Sequence, residues 1–293
     1  MEFTALLTLS GFDPRDVAVM LHTPVQSHEK NALMALVDDY PDLFEAYQDN
    51  HPPGPEATLK RRKLAASFVV GTNSEAYFVG MYRIAGWREL TALELDADPR
   101  RKAVEERYRG RSFSQLATDS GRDGRAVFDL VPLTELSELK GRLIVQRTPG
   151  RAYMRLAENT KLAVLEIKRD ARFSPPPPDW RDFVVSTDDL RVLPRDHAAR
   201  LAGWRGVYLI TDEKDGARYV GSAYGAENLL GRWRAHVAKD KGVTAELGQR
   251  DTSSFRFSIL QLLLHDADAA DVQALEANWK TRLHTRSWGL NKN

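Results

Sequence analysis

The sequence predicts an α+β protein of two parts, a β-rich, barrel-like N-terminal domain with a helical start and a smaller mixed C-terminal module. Apolar residues recur at helical spacing in the opening segment, up to about residue 60. Short runs rich in β-branched and aromatic residues follow, a pattern typical of an antiparallel sheet or small barrel. Four prolines after Ser174 then separate these runs from a compact stretch with hairpin, helix and strand patterns.

Bulk composition excludes several functional classes. The chain has 293 residues and no cysteine, so disulfides, zinc–cysteine sites and cysteine nucleophiles are excluded. No apolar run approaches the roughly 20 residues that span a bilayer, and no signal peptide is evident, so we expect a cytoplasmic protein. The 42 basic and 41 acidic side chains nearly cancel, so bulk charge does not indicate a nucleic-acid partner.

The helical start is predicted as two helices. Asp13 is a suitable N-cap, and Pro14 suits the first helical position, for a helix that continues to Leu21. Ser27 is a second cap, for a helix that continues to Asp38. Residues 98–118 are expected to form a helix or an irregular insertion. Runs in this domain that predict strands lie at 67–71, 76–84, 125–131, 141–147, 151–157 and 161–167.

Composition also predicts the domain boundaries. Four consecutive prolines favour a stiff extended spacer over a helix interior or a central strand; the alternative is an interaction motif. We therefore expect an N-terminal domain over 1–173, a Pro-rich connection over 174–202 and a C-terminal module over 203–293.

The C-terminal module opens with a hairpin that carries a tyrosine and a glycine on each arm. GVYLI (206–210) and ARYVGSA (217–223) flank a polar turn, which places Tyr208 and Tyr219 on neighbouring strands. A glycine beside each tyrosine lets another backbone or a ligand approach closely. Tyrosines in strands are more often packing residues, so the hairpin alone is compatible with either role.

Four further residues of the module carry candidate chemistry. Arg232 and His236 lie four apart on a predicted helix, so they share one face and suit phosphate binding and proton handling. Glu276 lies beside the apolar stripe of a late helix (Val272, Leu275, Trp279 and Leu283), where a carboxylate is a candidate ligand for a hard metal ion. Asn291 is a candidate local hydrogen-bonder near the chain end.

Together, these elements resemble the GIY-YIG nuclease family. The order is G-V-Y, Y-V-G, Arg-x-x-x-His, a glutamate on a late helix and G-L-N, all within 203–293. Valine replaces isoleucine in both name motifs, and Arg-x-x-x-His is closest in pattern to the restriction-endonuclease branch. The resemblance implies a small three-stranded antiparallel sheet with flanking helices.

The resemblance also implies roles for these residues in a Mg²⁺- or Mn²⁺-dependent endodeoxyribonuclease. Tyr208 would be the general base for water, or relay its proton to His236. Tyr219 would orient the phosphate or the water, and Arg232 would clamp a phosphate oxygen. Glu276 would hold the metal ion, with Asn291 in support. Lys280, one turn after Glu276, would pair with it or reach a phosphate.

In this interpretation the N-terminal domain reads double-stranded DNA. Basic residues suited to phosphate contacts are Arg142, Arg147, Arg151 and Arg155. Aromatic residues available for a modified-base pocket, although strand aromatics are more often core, are Tyr77, Tyr82, Trp87 and Tyr153.

The expected role is restriction of foreign DNA such as phage DNA, at a sequence or, preferably, at a modified base. Cutting both strands at a specific sequence requires two active sites, which favours a homodimer. The alternatives are a repair or recombination nuclease that acts on structured DNA, and a non-catalytic DNA-binding protein. A competing nuclease signature, Glu166-x-Lys168 with Asp129 upstream, is common in half-exposed strands.

Overall fold

The structure is a computed structural model that describes residues 1–24, 27–71, 74–108, 121–150, 152–225, 228–240, 245–264 and 267–292. The chain divides into two compact units, which we call unit 1 (Met1–Pro175) and unit 2 (Pro176–Asn293). Within the described ranges, every helix is too short or too polar to cross a membrane.

Unit 1 is built on one seven-stranded sheet with helices on both faces. Its helices are α1 (Phe3–Leu9), α2 (Ser27–Asp39), α3 (Pro41–Gln48), α4 (Pro53–Leu59), α5 (Ala92–Ala97) and α6 (Pro99–Tyr108). Its strands are β1 (Val17–His22), β2 (Leu64–Val70), β3 (Glu75–Thr91), β4 (Gly124–Pro132), β5 (Leu143–Gln146), β6 (Met154–Leu156) and β7 (Ala163–Ile167).

The strand order is β6-β1-β2-β3-β5-β7, and β4 pairs with the outer part of β3. A register shift between Ile84 and Gly86 marks the point where β3 leaves the centre of the sheet and continues beside β4. Apolar side chains of α1 fill one face of the sheet, and those of α2, α3 and α6 fill the other. The β-rich, barrel-like expectation is confirmed as a curled, open sheet.

Residues 17–22 form a strand, and the helix predicted from Asp13 to Leu21 is wrong. Asp13 does cap a helical turn, because its carboxylate accepts a hydrogen bond from the Arg15 amide, but that turn ends at Asp16. The following residues are all buried and pair parallel to β2. Strands buried on both faces read as continuous apolar runs, which periodicity alone does not separate from helices.

The six predicted strands of unit 1 all occur, with shorter bounds for the last three. Residues 148–150 lie between β5 and β6, which are not neighbours in the sheet. β6 instead pairs with β1, and β5 lies between β3 and β7.

Unit 2 holds the hairpin in a four-stranded antiparallel sheet of order β10-β9-β11-β8. Its strands are β8 (Val184–Ser186), β9 (Gly206–Asp212), β10 (Arg218–Ala223) and β11 (Phe255–Leu262). Its helices are α7 (Thr187–Arg191), α8 (Arg195–Gly203), α9 (Asn228–Ala238), α10 (Ala245–Gly248), α11 (Ala269–Arg282) and α12 (Thr285–Trp288).

One strand of this sheet comes from the segment predicted as a connection. Residues 176–179 have no regular structure, but β8 extends the sheet by pairing with β11, and α7 and α8 follow it. Phe183, Leu190 and Leu201 are buried in the core of unit 2. The apolar residues between the charges of 180–202 therefore complete the core of the module, and the sheet has four strands where the resemblance implied three.

Candidate active site

The two hairpin tyrosines lie on one face of the sheet, and a glycine makes room for them. Tyr208 on β9 is directly opposite Gly221 on β10, and Tyr219 is two residues before Gly221 on the same face. A Cβ at position 221 would lie 2.5 Å from Cζ of Tyr208 and 2.9 Å from Cε1 of Tyr219. Any side chain larger than glycine would therefore displace the phenols.

Gly206 serves the same hairpin in a different way. A Cβ there would collide with the carbonyl oxygen of Gln261 on β11, where the β9–β11 register shifts between Ile259 and Gln261. The glycine on each arm thus permits a close approach, one by a neighbouring backbone and one by the tyrosine rings.

His236 contacts both tyrosines from α9. Its Nε2 lies 2.6 Å from the Tyr208 hydroxyl, and its ring centroid is 5.7 Å from that of Tyr208 and 5.4 Å from that of Tyr219. Trp233, one turn earlier on α9, is fully buried against Tyr208 and Phe257. The apolar side of α9 thus fixes the helix on the sheet and holds His236 against the phenols.

Burial keeps the phenol–imidazole pair neutral. Burial and then the positive charge of Arg232 lower the pKa of His236 to about 3. Burial and the nearby Tyr219 raise the pKa of Tyr208 above its ordinary value. With its proton on Nδ1, a neutral imidazole accepts the hydrogen bond that the Tyr208 hydroxyl donates to Nε2. The His236 Nδ1 atom is buried without a hydrogen-bond partner among the described residues.

Arg232 supplies the positive charge of the site. It is half-buried one turn before His236, and its guanidinium interacts with the hydroxyls of Tyr208 and Tyr219. A guanidinium has five N–H donors, and hydrogen bonds to two phenol hydroxyls use only some of them. Arg232 can therefore bind the phenols and an anionic oxygen together.

Glu276 approaches the hairpin from α11. Its Oε2 accepts a hydrogen bond from the Ser222 hydroxyl on β10, and its Oε1 lies 2.8 Å from the Lys280 Nζ. Val272 and Lys280, one turn before and one turn after it, are buried. The inward face of α11 is thus Val272–Glu276–Lys280, whereas Leu275 and Trp279 of the predicted apolar stripe are only half-buried.

The oxygen donors at Glu276 fit a hard divalent cation. The Glu276 carboxylate and the Ser222 hydroxyl are neighbouring oxygen ligands, and Mg²⁺ is commonly held by one or two carboxylates together with water and substrate phosphates. No group of three or more His, Cys, Asp or Glu side chains in the described ranges forms a closed metal cage. The donor set therefore suits a cation shared with a phosphate.

Asn291 pairs with the backbone of β10. Its Oδ1 accepts from the Val220 amide and its Nδ2 donates to the Val220 carbonyl, both at 2.8 Å. Asn291 is fully buried and lies beside the edge strand as a further strand residue would. It holds the segment that carries Tyr219, Gly221 and Ser222.

The structure places the predicted DNA-binding residues in different surroundings. Arg142, Arg147 and Arg155 donate to backbone carbonyls of Lys168, Gly150 and Thr148, among others, and so brace loops. Arg151 lies outside the described residues. Lys280 lies inside the site, paired with Glu276.

Three of the four aromatic candidates for a modified-base pocket surround one core cluster of unit 1. Tyr82 is buried there, Tyr153 is packed against it, and Trp87 lies 6.1 Å from its member Phe128, measured between ring centroids. Tyr77 belongs to a different cluster and donates a hydrogen bond to Glu75. The Glu166-x-Lys168 signature is not assembled with Asp129, because β7 pairs with β5 and β4 pairs with β3.

Sequence reasoning missed Ser222 and Trp233 as parts of the site. Ser222 directly follows the Y-V-G motif on the strand edge that faces α11, and Trp233 directly follows Arg232. Neither residue belongs to a motif with a defined spacing. The one sequence signal for each is that it directly follows a motif residue.

The residues that carry this site were also compared with known proteins. Residues 205–291 match the family described as the GIY-YIG catalytic domain. Among solved structures, a mutant of the catalytic domain of the intron endonuclease I-TevI is similar, with 23% identity and a TM-score of 0.27, over 31% of this chain and 94% of that chain. No curated protein matches. Residues 205–291 therefore form a GIY-YIG catalytic domain, as the sequence predicts, and this domain supports the expected endodeoxyribonuclease activity.

Proposed function

Starting from the GIY-YIG domain at residues 205–291, we propose that this protein restricts foreign DNA by a divalent-metal-dependent cut. Unit 2 hydrolyses phosphodiester bonds in double-stranded DNA with Mg²⁺ or Mn²⁺. Unit 1 recognises the target, which is either a sequence or a modified base; of the two we favour the modified base.

The observation that carries the chemistry is the buried contact of 2.6 Å between the Tyr208 hydroxyl and Nε2 of His236. A phenol that hands its proton to an imidazole can take a proton from water in the same step. A phosphodiester bound at Arg232 would offset the positive charge that helps to hold down the pKa of His236. Substrate binding therefore makes His236 a better proton acceptor when one is needed.

Arg232 and Tyr219 hold the phosphate in this mechanism. The guanidinium binds a non-bridging oxygen and offsets the charge that builds up in the transition state. The pKa of Tyr219 is raised by burial, so its hydroxyl stays protonated and donates to the phosphate or the attacking water. Both groups lie beside the proton-accepting pair, so the water and the phosphate meet at one place.

Glu276 and Ser222 would hold the cation on the α11 side of the hairpin. When bound, such a cation supplies Lewis-acid stabilisation of the leaving 3′ oxygen. Lys280 balances the Glu276 carboxylate in the absence of a cation, because its ammonium is held 2.8 Å from Oε1. The pair keeps the carboxylate pointed at the hairpin.

The restriction role rests on the separate folded unit that precedes the catalytic module. Unit 1 has its own sheet and its own hydrophobic cores. A small nuclease module acquires target specificity when a second unit of the same protein binds the DNA. Two active sites are needed to cut both strands at a fixed position, so we expect a homodimer when the protein acts on duplex DNA.

A cleavage panel tests this function. Purified protein with Mg²⁺ is mixed with unmodified plasmid, methylated DNA and phage DNA that carries hydroxymethylated or glucosylated bases. Discrete fragments from unmodified DNA would establish a sequence-specific enzyme, and cutting of modified DNA alone would establish a modification-dependent one. If all of these substrates stay intact while branched or flapped DNA is cut, restriction is excluded.

A further inference from the structure

A cavity of about 540 Å³ lies in unit 1, between α3, the start of α6 and the outer halves of β3 and β4. Pockets that hold small ligands range from about 300 to 1,000 Å³, so this cavity has the size of a binding site. Both charged and aromatic side chains line it, among them Glu45, Asp49, Trp87, Arg88 and Phe128.

Two carboxylates in the cavity are held in fixed orientations. Glu45 and Asp49 are one turn apart on α3 and its C-cap. Glu45 accepts hydrogen bonds from the Tyr82 hydroxyl (3.1 Å) and the Gln48 amide (2.8 Å), one at each oxygen. Asp49 accepts from Arg101 at 2.8 Å and from Asn50 at 3.1 Å, again one at each oxygen. Since a carboxylate oxygen accepts about two hydrogen bonds, each keeps capacity for a ligand donor.

Aromatic surface lies beside these acceptors. Trp87 is 48% exposed, although it lies on a strand, and its ring centroid is 6.1 Å from that of Phe128. Lys60 Nζ lies over the Trp87 ring, 5.6 Å from its centroid, so the face that a planar ligand would stack on is the one turned to the cavity that Trp87 lines.

We propose that this cavity takes a nucleobase that carries an amino group, namely adenine, cytosine or guanine, turned out of the duplex. The Glu45 and Asp49 carboxylates accept hydrogen bonds from the amino group, as Asp and Glu do from cytosine N4 in DNA complexes. The base stacks on Trp87, as extruded bases do in pockets with aromatic walls. Thymine is disfavoured, because its one N–H donor on the Watson–Crick edge cannot serve both carboxylates, whereas an amino group offers two N–H donors.

The charges also fix which part of a nucleotide enters. Four acids and three arginines line the cavity, and Arg100 and Arg101 are already paired with Asp98 and Asp49. The carboxylates of Glu45 and Asp129 therefore disfavour a phosphate inside the cavity and favour the uncharged base. Arg88 is exposed among the lining residues, and it can hold the flanking phosphate outside. The choice of a nucleobase over another amine rests on the proposed function, in which unit 1 reads DNA.

The test measures binding of free nucleosides to the full-length protein in the absence of metal. Deoxyadenosine, deoxycytidine, deoxyguanosine and thymidine are titrated at millimolar concentrations by saturation-transfer NMR and calorimetry. At least one amino-bearing nucleoside should bind, at least tenfold more tightly than thymidine. Glu45→Gln should weaken that binding about tenfold, the scale of one hydrogen bond to a charged group, and Trp87→Ala should weaken it as well.

Glu138→Gln is the matched control, since Glu138 is exposed in the same unit and does not line the cavity. It should leave binding unchanged. Unfolding curves of all variants confirm that each is folded. If no nucleoside binds, if thymidine binds as well as the others, or if Glu45→Gln binds like the wild-type protein, the proposal is overturned.

The nucleoside-binding test and the cleavage panel can fail independently of each other. Nucleoside binding requires neither the metal ion nor unit 2 chemistry, so a protein that cuts no DNA can still bind the base. If the protein restricts DNA but binds no nucleoside, base binding in this cavity is refuted and the proposed function stands.

Discussion

At the residue scale, the site depends on a small number of buried polar contacts. Tyr208 is fully buried, yet its hydroxyl lies at a hydrogen-bonding distance from His236 and interacts with Arg232. Burial makes each of these contacts specific, because an unsatisfied buried polar group costs about 1–3 kcal/mol. A single-atom change at such a contact should therefore lower stability by up to about that amount and lower the cleavage rate by a larger factor.

Tyr208→Phe removes one oxygen and keeps the ring in place. We expect the cleavage rate to fall by about 10²- to 10⁴-fold, the usual contribution of general acid–base catalysis, while DNA affinity stays within about twofold. Single-turnover cleavage and filter binding measure the two quantities. A variant that cuts at the wild-type rate would remove Tyr208 from the proton path.

Gly221→Ala introduces a methyl group where the Tyr208 and Tyr219 rings lie. We expect a large loss of cleavage, because at 2.5 Å from Cζ the new Cβ forces the Tyr208 ring away from His236. Gly203→Ala is the control, since a Cβ there meets nothing within 4 Å. Equal activity of the two variants would show that the phenol position is not critical.

At the element scale, the edge of the unit 2 sheet is closed by a side chain. Asn291 satisfies both backbone groups of Val220 on the edge strand β10, beside which the described residues place no fifth strand. Elements far apart in sequence thereby meet at β10, which receives α11 through Glu276 and the chain end through Asn291. The hairpin alone could not hold this arrangement.

Asn291→Leu fills similar space without polar groups. It leaves the Val220 amide and carbonyl buried and unsatisfied, so we expect the free energy of unfolding to fall by about 2–4 kcal/mol. Cleavage should fall too, because β10 carries Tyr219 and Ser222. Denaturant unfolding measures the first effect. An unchanged midpoint would mean that water satisfies Val220 and that Asn291 is not structural.

Local sequence patterns predict most elements of unit 2, but they do not predict every element or how the elements pair. The hairpin, α9, β11 and α11 follow from local patterns, and the motif order predicts which side chains meet. β1 was predicted as a helix, because six consecutive buried residues carry no period. The pairing of β8 with β11 joins residues about 70 apart, and no local pattern encodes such a contact. The sequence does not decide whether Lys280 pairs with Glu276 or reaches a phosphate, because the direction of its side chain depends on how α11 packs on β10.

At the scale of the whole molecule, three buried histidines link stability to pH. Burial is the largest cause of a lowered pKa for each, to about 4 for His22 and about 3 for His51 and His236. Their ordinary value is 6.5, so below it the unfolded chain binds protons that the folded chain does not. Stability is therefore highest above pH 6.5 and falls as the pH drops toward 4.

His51→Gln should flatten this dependence. Each buried neutral histidine contributes at most about 1.4 kcal/mol per pH unit in that window, and the variant removes one of the three. Denaturant unfolding between pH 7 and about 4 measures the slope, with the exposed His284 replaced in His284→Asn as control. Identical slopes for wild type and His51→Gln would contradict neutral burial of this histidine.

The role of Glu276 in phosphodiester hydrolysis is tested by comparing DNA cleavage by the wild-type protein, Glu276→Ala and Asp271→Ala in Mg²⁺. Asp271 is exposed on the first turn of the same helix as Glu276, so its variant controls for a change of charge on α11. We expect Asp271→Ala to cut like the wild type, and Glu276→Ala to bind DNA normally but to lose cleavage. Undiminished cutting by Glu276→Ala would show that phosphodiester hydrolysis takes place elsewhere on the molecule.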